Sequence, residues 1–439
     1  MINEILNKYL NNEKNITFTN YSLDSIESLL KYIDEPHKNF RSVHITGTNG
    51  KGSTAFITAE ILRKSGYKTG LYISPHLINI TERIKINLKD IPEVSLYNYL
   101  KMIDSIIQSN RSIMPTYFDI LTAAAFKYFS DESVDIAVIE TGLGGRLDST
   151  NVILPEISVI TDISLDHAHI LGNTIEKITE EKCGIIKQNR PVITSNSDIS
   201  VTGIIEKYSR INRSDLHIYK RNYYAENISF NNGFFTFDFS FNGFRLPKVE
   251  ICLFPEHQVI NASTALTALS ILRSNGFPNV NDDIIYRTLG TIQIPGRFEL
   301  LGKNPFIIYD PAHNFDALDN LIKGINKLYH NKRIFYIISL MTDKADDKTL
   351  GLFNSIEDQV IYYILNDSRA FIPDANRFKY IVHDEINIIE LMDSIYNDDV
   401  IYLFTGTFRI YESALKITEK FNKHSIEKNQ VRRNYEVQR

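Results

Sequence analysis

The sequence has few features of an exported, membrane-spanning or nucleic-acid-binding protein. Its only two cysteines, Cys183 and Cys252, lie far apart in sequence and do not indicate a disulfide framework. We therefore expect a cytoplasmic protein, because the cytoplasm keeps thiols reduced. No apolar stretch approaches the length of a membrane span, and residues 1–15 lack the apolar core of a signal peptide. The net charge of −5 argues against a nucleic-acid partner.

The length and the spacing of apolar segments predict two domains. At 439 residues the chain is too long for a single hydrophobic core. In residues 1–295, short β-branched strands alternate with helical stretches, which is typical of a parallel sheet covered by helices. Residues 227–246 instead alternate apolar and polar side chains around Asn-Gly turns and predict a small antiparallel element. A second α/β series, with apolar strands predicted at residues 306–310, 333–339, 359–365, 379–383 and 400–405, indicates a smaller domain over residues 296–439.

The most informative segment is a glycine-rich turn at residues 47–53, which reads GTNGKGS. It lies between an apolar strand and a helical stretch, so its backbone N–H groups converge where the helix dipole adds positive potential. Lys51 inside such a turn completes a cradle for the β- and γ-phosphates of a nucleotide. The segment therefore predicts binding of ATP or GTP. Gly52 stands where a metal-binding hydroxyl usually follows the lysine.

Three polar residues near predicted strand ends are candidates for a magnesium site. Ligands collect beyond the carboxyl ends of parallel strands, and magnesium prefers oxygen ligands. Glu140 ends an apolar strand directly before a glycine turn, and Ser74 closes another strand and supplies the hydroxyl that Gly52 lacks. His167 follows a third strand, but the residues alone favour an ordinary loop histidine. Lys182 lies within an amphipathic helical stretch, and the residues alone favour a surface lysine at this position.

Together these segments resemble the folylpolyglutamate synthase/dihydrofolate synthase family of the Mur ligase superfamily. The matches follow the family's order over nearly the whole chain. They comprise residues 47–53, 74–77, 82–84, 140–148, 165–167, 181–187, 257–258 with 261, 295–297 with 299, and 310 with 312–314. The resemblance implies an α/β fold, with a P-loop parallel-sheet ATPase domain that carries a small antiparallel element. A smaller Rossmann-like α/β domain for glutamate ligation follows it.

The resemblance also implies an activity and its substrates. The family uses ATP and Mg²⁺ to join L-glutamate to a folate-type carboxylate through an acyl-phosphate intermediate. The acceptor is dihydropteroate, which gives dihydrofolate, or a tetrahydrofolate, which gives polyglutamates. The expected partners are therefore pteroate or folate and L-glutamate, with neither nucleic acid nor membrane, and the expected state is a monomer.

The family's functional residues carry over to matching positions of this sequence. The implied catalytic residues are Lys51, Lys182, His167 and Arg297. The implied nucleotide-binding residues are Asn49, Gly50, Lys51, Gly52, Ser53, Asn261, Arg297, Asp310 and His313. The implied metal ligands are Ser74, Glu140, His167 and Lys182, the lysine being carbamylated in the family, which turns a cation into an anionic ligand. The implied substrate-binding residues are Arg83, Thr116, Tyr117, Phe118, Asp119, Leu147, Asp148 and Ser149. Asp119 stands where the family usually has glutamate.

Two other functions are compatible with the glycine-rich turn. A Mur-type amino-acid ligase shares it, but there Thr or Ser follows the lysine directly and a nucleotide-sugar domain precedes the turn. In this sequence Gly52 follows the lysine, and only 46 residues precede Gly47. A P-loop kinase is the other alternative, but it would not need the second domain's Arg297 and Asp310.

Overall fold

The computed structural model describes residues 1–10, 22–110, 112–166, 168–231, 233–397 and 399–422. The chain divides into two compact units. The first comprises residues 1–252 and 258–292, and the second comprises residues 253–257 and 293–439.

The first unit is built on an eight-stranded sheet. Its strands are β1 Arg41–Thr46, β2 Thr69–Tyr72, β3 Ile84–Ile86, β4 Lys89–Asp90, β5 Ile136–Glu140, β6 Ile157–Ile160, β7 Val192–Thr194 and β8 Leu216–Ile218. The strand order is β4-β3-β2-β5-β1-β6-β7-β8. The strands from β2 to β8 in this order run parallel, whereas β3 and β4 pair antiparallel. The predicted parallel sheet is confirmed, and its central strands are buried on both faces because helices cover them.

Helices supply most of the remaining core of the first unit. They are α1 Ile2–Asn7, α2 Asp24–Lys31, α3 Lys51–Lys64, α4 Glu93–Ser109, α5 Tyr117–Asp131, α6 Ala168–Leu171, α7 Ile175–Cys183, α8 Ile199–Ile211, α9 His257–Ser274 and α10 Asp282–Leu289. Leu100 of α4 and Phe126 of α5 share one buried cluster with Tyr72 of β2 and Ile139 of β5. A helix such as α5, which is apolar on nearly every face, is stable only when it is enclosed in this way.

A separate three-stranded antiparallel sheet also belongs to the first unit. Its strands are β9 Tyr223–Asn231, β10 Phe234–Phe241 and β11 Phe244–Ile251, with β10 in the centre. Every second side chain of β10 is buried, including Phe237 and Phe239, because successive side chains of a strand point to opposite faces. This sheet confirms the antiparallel element predicted from the Asn-Gly turns.

The second unit is a smaller α/β structure. Its strands are β12 Glu299–Lys303, β13 Phe306–Tyr309, β14 Arg333–Ile338, β15 Val360–Tyr363, β16 Tyr380–Val382 and β17 Val400–Thr405. They are ordered β12-β13-β17-β14-β15-β16 and run parallel except for β12. The helices are α11 Phe315–Leu328, α12 Asp347–Gly351 and α13 Glu385–Ile395, and residues 411–422 are also helical. The predicted strands of this domain are present, but β12 was missed because it is a half-exposed edge strand without an apolar run.

Over the described ranges, no helix combines the length and the apolar character that a membrane crossing requires.

Candidate active site

The glycine-rich turn connects β1 to α3 and packs too closely for larger residues at two positions. Gly47 has φ +154°, and a Cβ there would lie 1.8 Å from Thr161 Oγ1. Gly50 has φ +86°, and a Cβ would lie 2.4 Å from Asn261 Oδ1. Side chains other than glycine are therefore excluded on steric and conformational grounds. Asn261, on α9, is thereby placed directly against the start of α3.

Residues after β6 fix the turn in place. Thr48 N donates a hydrogen bond of 2.6 Å to Asp162 O, and Asn49 Nδ2 lies 3.2 Å from Asp162 Oδ2. Asn49 Nδ2 also donates to Ser164 Oγ at 3.1 Å. The first turn of α3, which begins at Lys51, carries backbone N–H groups with no partner inside the helix. A held glycine turn followed by a helix N-terminus is an anion-binding arrangement.

Two lysines from different elements meet at one carbonyl of this turn. Lys51 Nζ donates to Gly47 O at 3.0 Å and to Thr48 O at 3.1 Å. Lys182 Nζ, from α7, donates to the same Gly47 O at 2.7 Å. The Lys182 side chain is only 3% exposed, and burial, with a further contribution from Lys51, lowers its pKa to about 7. Lys51 thus disfavours the charged form of Lys182.

The expectation from the residues alone, a surface lysine at 182, is wrong. The backbone of α7 approaches the glycine turn after β5 so closely that a Cβ on Gly145 would lie 3.0 Å from Lys182 Cα. Arg146 N also donates to Glu181 O at 2.8 Å. Because Gly145 has no side chain, α7 can lie against this turn, and Lys182 is buried between them. Helical periodicity does not reveal such a contact.

The metal candidates Ser74 and Glu140 lie side by side. Ser74 N donates to Glu140 Oε2 at 3.3 Å, and Glu140 is 3% exposed. β2 ends at Tyr72, so Ser74 lies just beyond the strand instead of closing it. The third candidate for the magnesium site, His167, lies outside the described residues. Within the described ranges, no group of three or more His, Cys, Asp or Glu side chains could hold a metal ion.

A cavity of about 490 Å³ lies next to these residues. Its walls come from the turn after β2, the start of α5, the glycine turn after β5, α6 and α7. It brings together Ser74 and seven of the eight predicted substrate-binding residues. The lining residues with a predicted role are Ser74, Arg83, Thr116, Tyr117, Phe118, Leu147, Asp148 and Ser149. Aromatic walls with a few polar groups are typical of a small-molecule site.

Asp119 is the one predicted substrate-binding residue that does not line this cavity. Its carboxylate accepts from Thr116 N at 2.8 Å and from Ser149 Oγ at 2.6 Å, while Asp119 N donates to Thr116 Oγ1. It therefore caps α5 and joins the helix to the segment after Asp148. Burial raises the pKa of this carboxyl, and the hydrogen bonds oppose that shift. Its role in substrate binding stays a prediction.

The predicted nucleotide-binding residues of the second unit lie around the end of β13. Asp310 accepts from Phe298 N and Ala312 N, each at 3.0 Å, and burial raises its pKa against the opposing effect of Arg297. The Arg297 guanidinium lies 5.2 Å from the centre of the Phe408 ring. The His313 ring lies 5.7 Å from the same ring.

Residues outside the predicted set also shape the site. Asp162 and Ser164 hold Asn49, as described above. Thr46 Oγ1, on β1, donates to Gly144 O at 2.5 Å and His44 Nε2 lies 2.8 Å from Thr150 Oγ1. The signal in the sequence was the set of polar residues at every second position of an otherwise apolar strand. Such residues share one face, so they point to a polar structure behind that face.

Comparison with known proteins assigns a family to this geometry. Residues 45–269 match the model of the Mur ligase middle domain, and residues 296–406 match that of the Mur ligase glutamate ligase domain. The chain is 30% identical over 399 residues to the dihydrofolate synthase/folylpolyglutamate synthase of Bacillus subtilis (strain 168), covering 88% of this chain and 92% of that protein.

Solved structures show the same relationship. The Mycobacterium tuberculosis folylpolyglutamate synthase complexed with ADP aligns with a TM-score of 0.85 at 26% identity, over 96% of this chain and 97% of that one. A folylpolyglutamate synthase complex with AMPPCP and folate aligns with a TM-score of 0.78 at 27% identity, over 91% and 95%. Sequence, domain order and fold thus agree along the chain. It belongs to the folylpolyglutamate synthase/dihydrofolate synthase family of ligases.

Proposed function

We propose that this chain is an ATP- and Mg²⁺-dependent ligase that joins L-glutamate to the carboxylate of a folate-type acceptor. One observation carries the proposal: the wall of the 490 Å³ cavity includes the sequence neighbour of Lys182, and Lys182 donates a hydrogen bond to Gly47 O of the phosphate-binding turn. Ser74 lines the cavity and contacts Glu140, and Glu181, beside Lys182, lines the cavity as well. A carboxylate at the mouth of the cavity would therefore meet the phosphate-binding residues. Relatives solved with AMPPCP and folate support the same pair of ligands.

The proposed reaction has two steps. The acceptor carboxylate oxygen attacks the γ-phosphorus of ATP, the bond to the β–γ bridging oxygen breaks, and ADP leaves. The amine of glutamate then attacks the acyl carbon, phosphate leaves, and the amine gives up a proton. Both reactants of the first step are anions, so their approach requires positive charge at the turn. Lys51 and the N–H groups at the start of α3 supply it, and the catalytic role of Arg297 stays a prediction.

The residues present fit a magnesium ion. Ser74 and Glu140 offer oxygen ligands, and Mg²⁺ binds through few protein groups and keeps water and phosphate oxygens. When bound, the ion would neutralise phosphate charge during transfer. An amine cannot serve as an anionic ligand, so Lys182 fits only as the carbamate that the family resemblance implies. His167 as a further ligand, and Asn261, Asp310 and His313 as nucleotide contacts, stay predictions.

The class of acceptor decides whether the chain acts as a dihydrofolate synthase, a folylpolyglutamate synthase or both. A panel of dihydropteroate, tetrahydrofolate and tetrahydrofolate diglutamate, each with ATP, Mg²⁺ and labelled L-glutamate, tests it. We expect an amide product and stoichiometric ADP with at least one acceptor, and none when glutamate is omitted. Lys51→Ala controls for contaminating ligase, while Lys64→Ala, at the exposed end of the same helix, should keep activity. A purified protein that forms no product from any acceptor would contradict the proposed function.

Two alternatives predict other results in the same panel. A kinase would release ADP with the acceptor alone, without glutamate, and accumulate a stable phosphorylated product. A Mur-type ligase would ignore all three acceptors. The predicted cytoplasmic location and monomeric state are independent of this test and stay predictions.

A further inference from the structure

A buried histidine lies behind the acceptor cavity and has no part in the reaction described above. His44 sits in the middle of β1 and is completely buried. Its Nε2 lies 2.8 Å from Thr150 Oγ1. Its Nδ1 is also buried and has no hydrogen-bond partner in the described part of the chain. Burial of a polar side chain at the centre of a parallel sheet costs free energy unless its polar atoms form hydrogen bonds.

The hydrogen bonds of Thr150 determine which nitrogen of His44 carries the proton. The Thr150 hydroxyl donates its single proton to Asp148 Oδ1. Its oxygen can then only accept from the imidazole, so Nε2 carries the hydrogen, and in the neutral imidazole Nδ1 is bare. A bare Nδ1 is consistent with the absence of a hydrogen-bond partner at this nitrogen in the described part of the chain. The three side chains form one directed relay, from His44 through Thr150 to Asp148.

Asp148 connects this relay to the cavity wall. Its Oδ2 accepts from Leu143 N at 2.8 Å, and its Oδ1 also accepts from Thr150 N at 3.0 Å. Asp148 thereby links the end of the glycine turn of residues 142–148 to Leu143, near its start. Asp148 and Leu143 both line the acceptor cavity, together with residues 142, 144 and 145. One buried carboxylate therefore joins Leu143, near the start of this turn, to Thr150, just after its end.

We propose that His44 is a positioning residue for the acceptor: through Thr150 it orients Asp148 and so holds the glycine turn in the shape that binds the acceptor. The inference rests on the proposed function. It gives a positioning role to a strand residue that contacts neither ATP nor the acceptor. β1 reaches the turn at a second point, because Thr46 Oγ1 donates to Gly144 O. Residues at alternate positions of β1 therefore reach the turn at two points, Gly144 directly and Asp148 through Thr150.

Removal of the imidazole N–H would leave the Thr150 hydroxyl without its donor. The hydroxyl could then rotate away from Asp148, and the buried carboxylate would lose one of its fixed donors. We expect the turn to sample more conformations and the acceptor to bind less well. The phosphate-binding turn is held separately, by Asp162 and Ser164, so ATP binding should not change.

The test compares His44→Leu, Thr150→Val and the double variant with wild-type protein. We expect KM for the acceptor to rise about 10-fold in either single variant, with KM for ATP within about 2-fold of wild type. The double variant should be no worse than the single ones, because both changes break the same relay. His44→Gln should restore much of the acceptor affinity, since a glutamine amide can place an N–H near the Nε2 position.

Hydrogen–deuterium exchange provides a readout that does not depend on activity. The Leu143 amide donates to Asp148, so peptides that cover residues 142–148 should exchange faster in His44→Leu and Thr150→Val. Peptides from α9 should not change. Thr267→Val is the matched control: it removes another fully buried hydroxyl, one that donates to Ser263 O at 2.8 Å within α9. It should leave the turn and the acceptor KM as in wild type.

The outcomes separate the relay from the proposed function. If wild-type protein forms no product, the proposed function fails, whereas the exchange comparison still tests the relay. If wild-type protein is active and His44→Leu leaves both acceptor KM and exchange at residues 142–148 unchanged, the relay is wrong. Faster exchange throughout the first unit, together with equal rises in both KM values, would also overturn it, because that is the pattern of general destabilisation.

Discussion

Lys51 and Lys182 share one hydrogen-bond acceptor, the carbonyl oxygen of Gly47, with Nζ–O distances of 3.0 and 2.7 Å. One lysine belongs to the turn itself, and the other, whose side chain is buried, lies more than a hundred residues later on α7. Two cations at one carbonyl repel each other, and burial adds to the cost. Conversion of Lys182 to a carbamate would replace this repulsion by attraction. The pairing therefore places a buried lysine with a lowered pKa beside the phosphate-binding turn.

Replacement of Lys182 tests the carbamate directly. Lys182→Ala should lower kcat by at least about 100-fold, because the proposed anionic ligand is lost. Formate or acetate should restore part of the activity by occupying the vacated space. Lys187→Met is the matched control, since Lys187 is another partly buried lysine whose pKa burial lowers to about 8. Small carboxylates should not raise the activity of this control. A fully active Lys182→Ala enzyme would exclude the carbamate.

Glu140→Gln should raise the magnesium requirement. A neutral amide is a weaker ligand for a hard cation than a carboxylate, so the Mg²⁺ concentration for half-maximal rate should rise about 10-fold. The measurement is the initial rate as a function of Mg²⁺ at saturating ATP and acceptor. Glu60→Gln serves as control, because Glu60 is similarly buried but pairs with Arg63 on α3. Identical Mg²⁺ curves for wild type and Glu140→Gln would remove Glu140 from the proposed metal site.

Gly142→Ala should weaken acceptor binding selectively. A Cβ at residue 142 would lie 2.6 Å from Phe118 Cζ, so the ring must move in the cavity wall. We expect acceptor KM to rise about 10-fold with little change in KM for ATP. Gly203→Ala is the matched control, because a Cβ at that helical position meets nothing within 4 Å. It should leave kinetics unchanged and slightly stabilise α8. An unaltered acceptor KM in Gly142→Ala would show that Phe118 does not shape the binding surface.

His44 should make the stability of the first unit pH-dependent. Burial lowers the pKa of His44 to about 3, with a smaller effect of Lys187, from an ordinary value of 6.5. Between these two values the unfolded chain binds a proton that the folded chain rejects, so the free energy of unfolding rises with pH in that window. The contribution is fully present above pH 6.5 and is lost as the pH falls. It amounts to on the order of 2 kcal/mol between pH 7 and pH 5.

Urea unfolding at pH 7 and pH 5 measures this contribution. Wild-type protein should lose more stability on acidification than His44→Gln, which has no titrating imidazole at this position. His330→Gln, which removes an exposed histidine, should behave like wild type. Equal losses of unfolding free energy in wild type and His44→Gln would show that residue 44 does not titrate differently in the folded state.

Local signals in the sequence were sufficient for much of the fold and for part of the site. The glycine turn at residues 47–53 was predicted because its chemistry is contiguous: strand, glycines, lysine and helix follow one another. The parallel strands were predicted because burial on both faces demands apolar runs. β12 was missed, since an exposed edge strand carries no such run.

By itself the sequence determined the phosphate-binding turn, the alternation of strands and helices, and the family. Each of these depends on residues adjacent along the chain or on motifs in a fixed order. Only the tertiary structure decided that Lys182 is buried against Gly47, that Asp119 accepts a hydrogen bond from Ser149 Oγ, and that His44 reaches Asp148 through Thr150. These relationships join residues that are distant in sequence, and they depend on the close approach that Gly145 and the strand order permit. Periodicity describes a single element, whereas burial and hydrogen-bond partners follow from how elements pack.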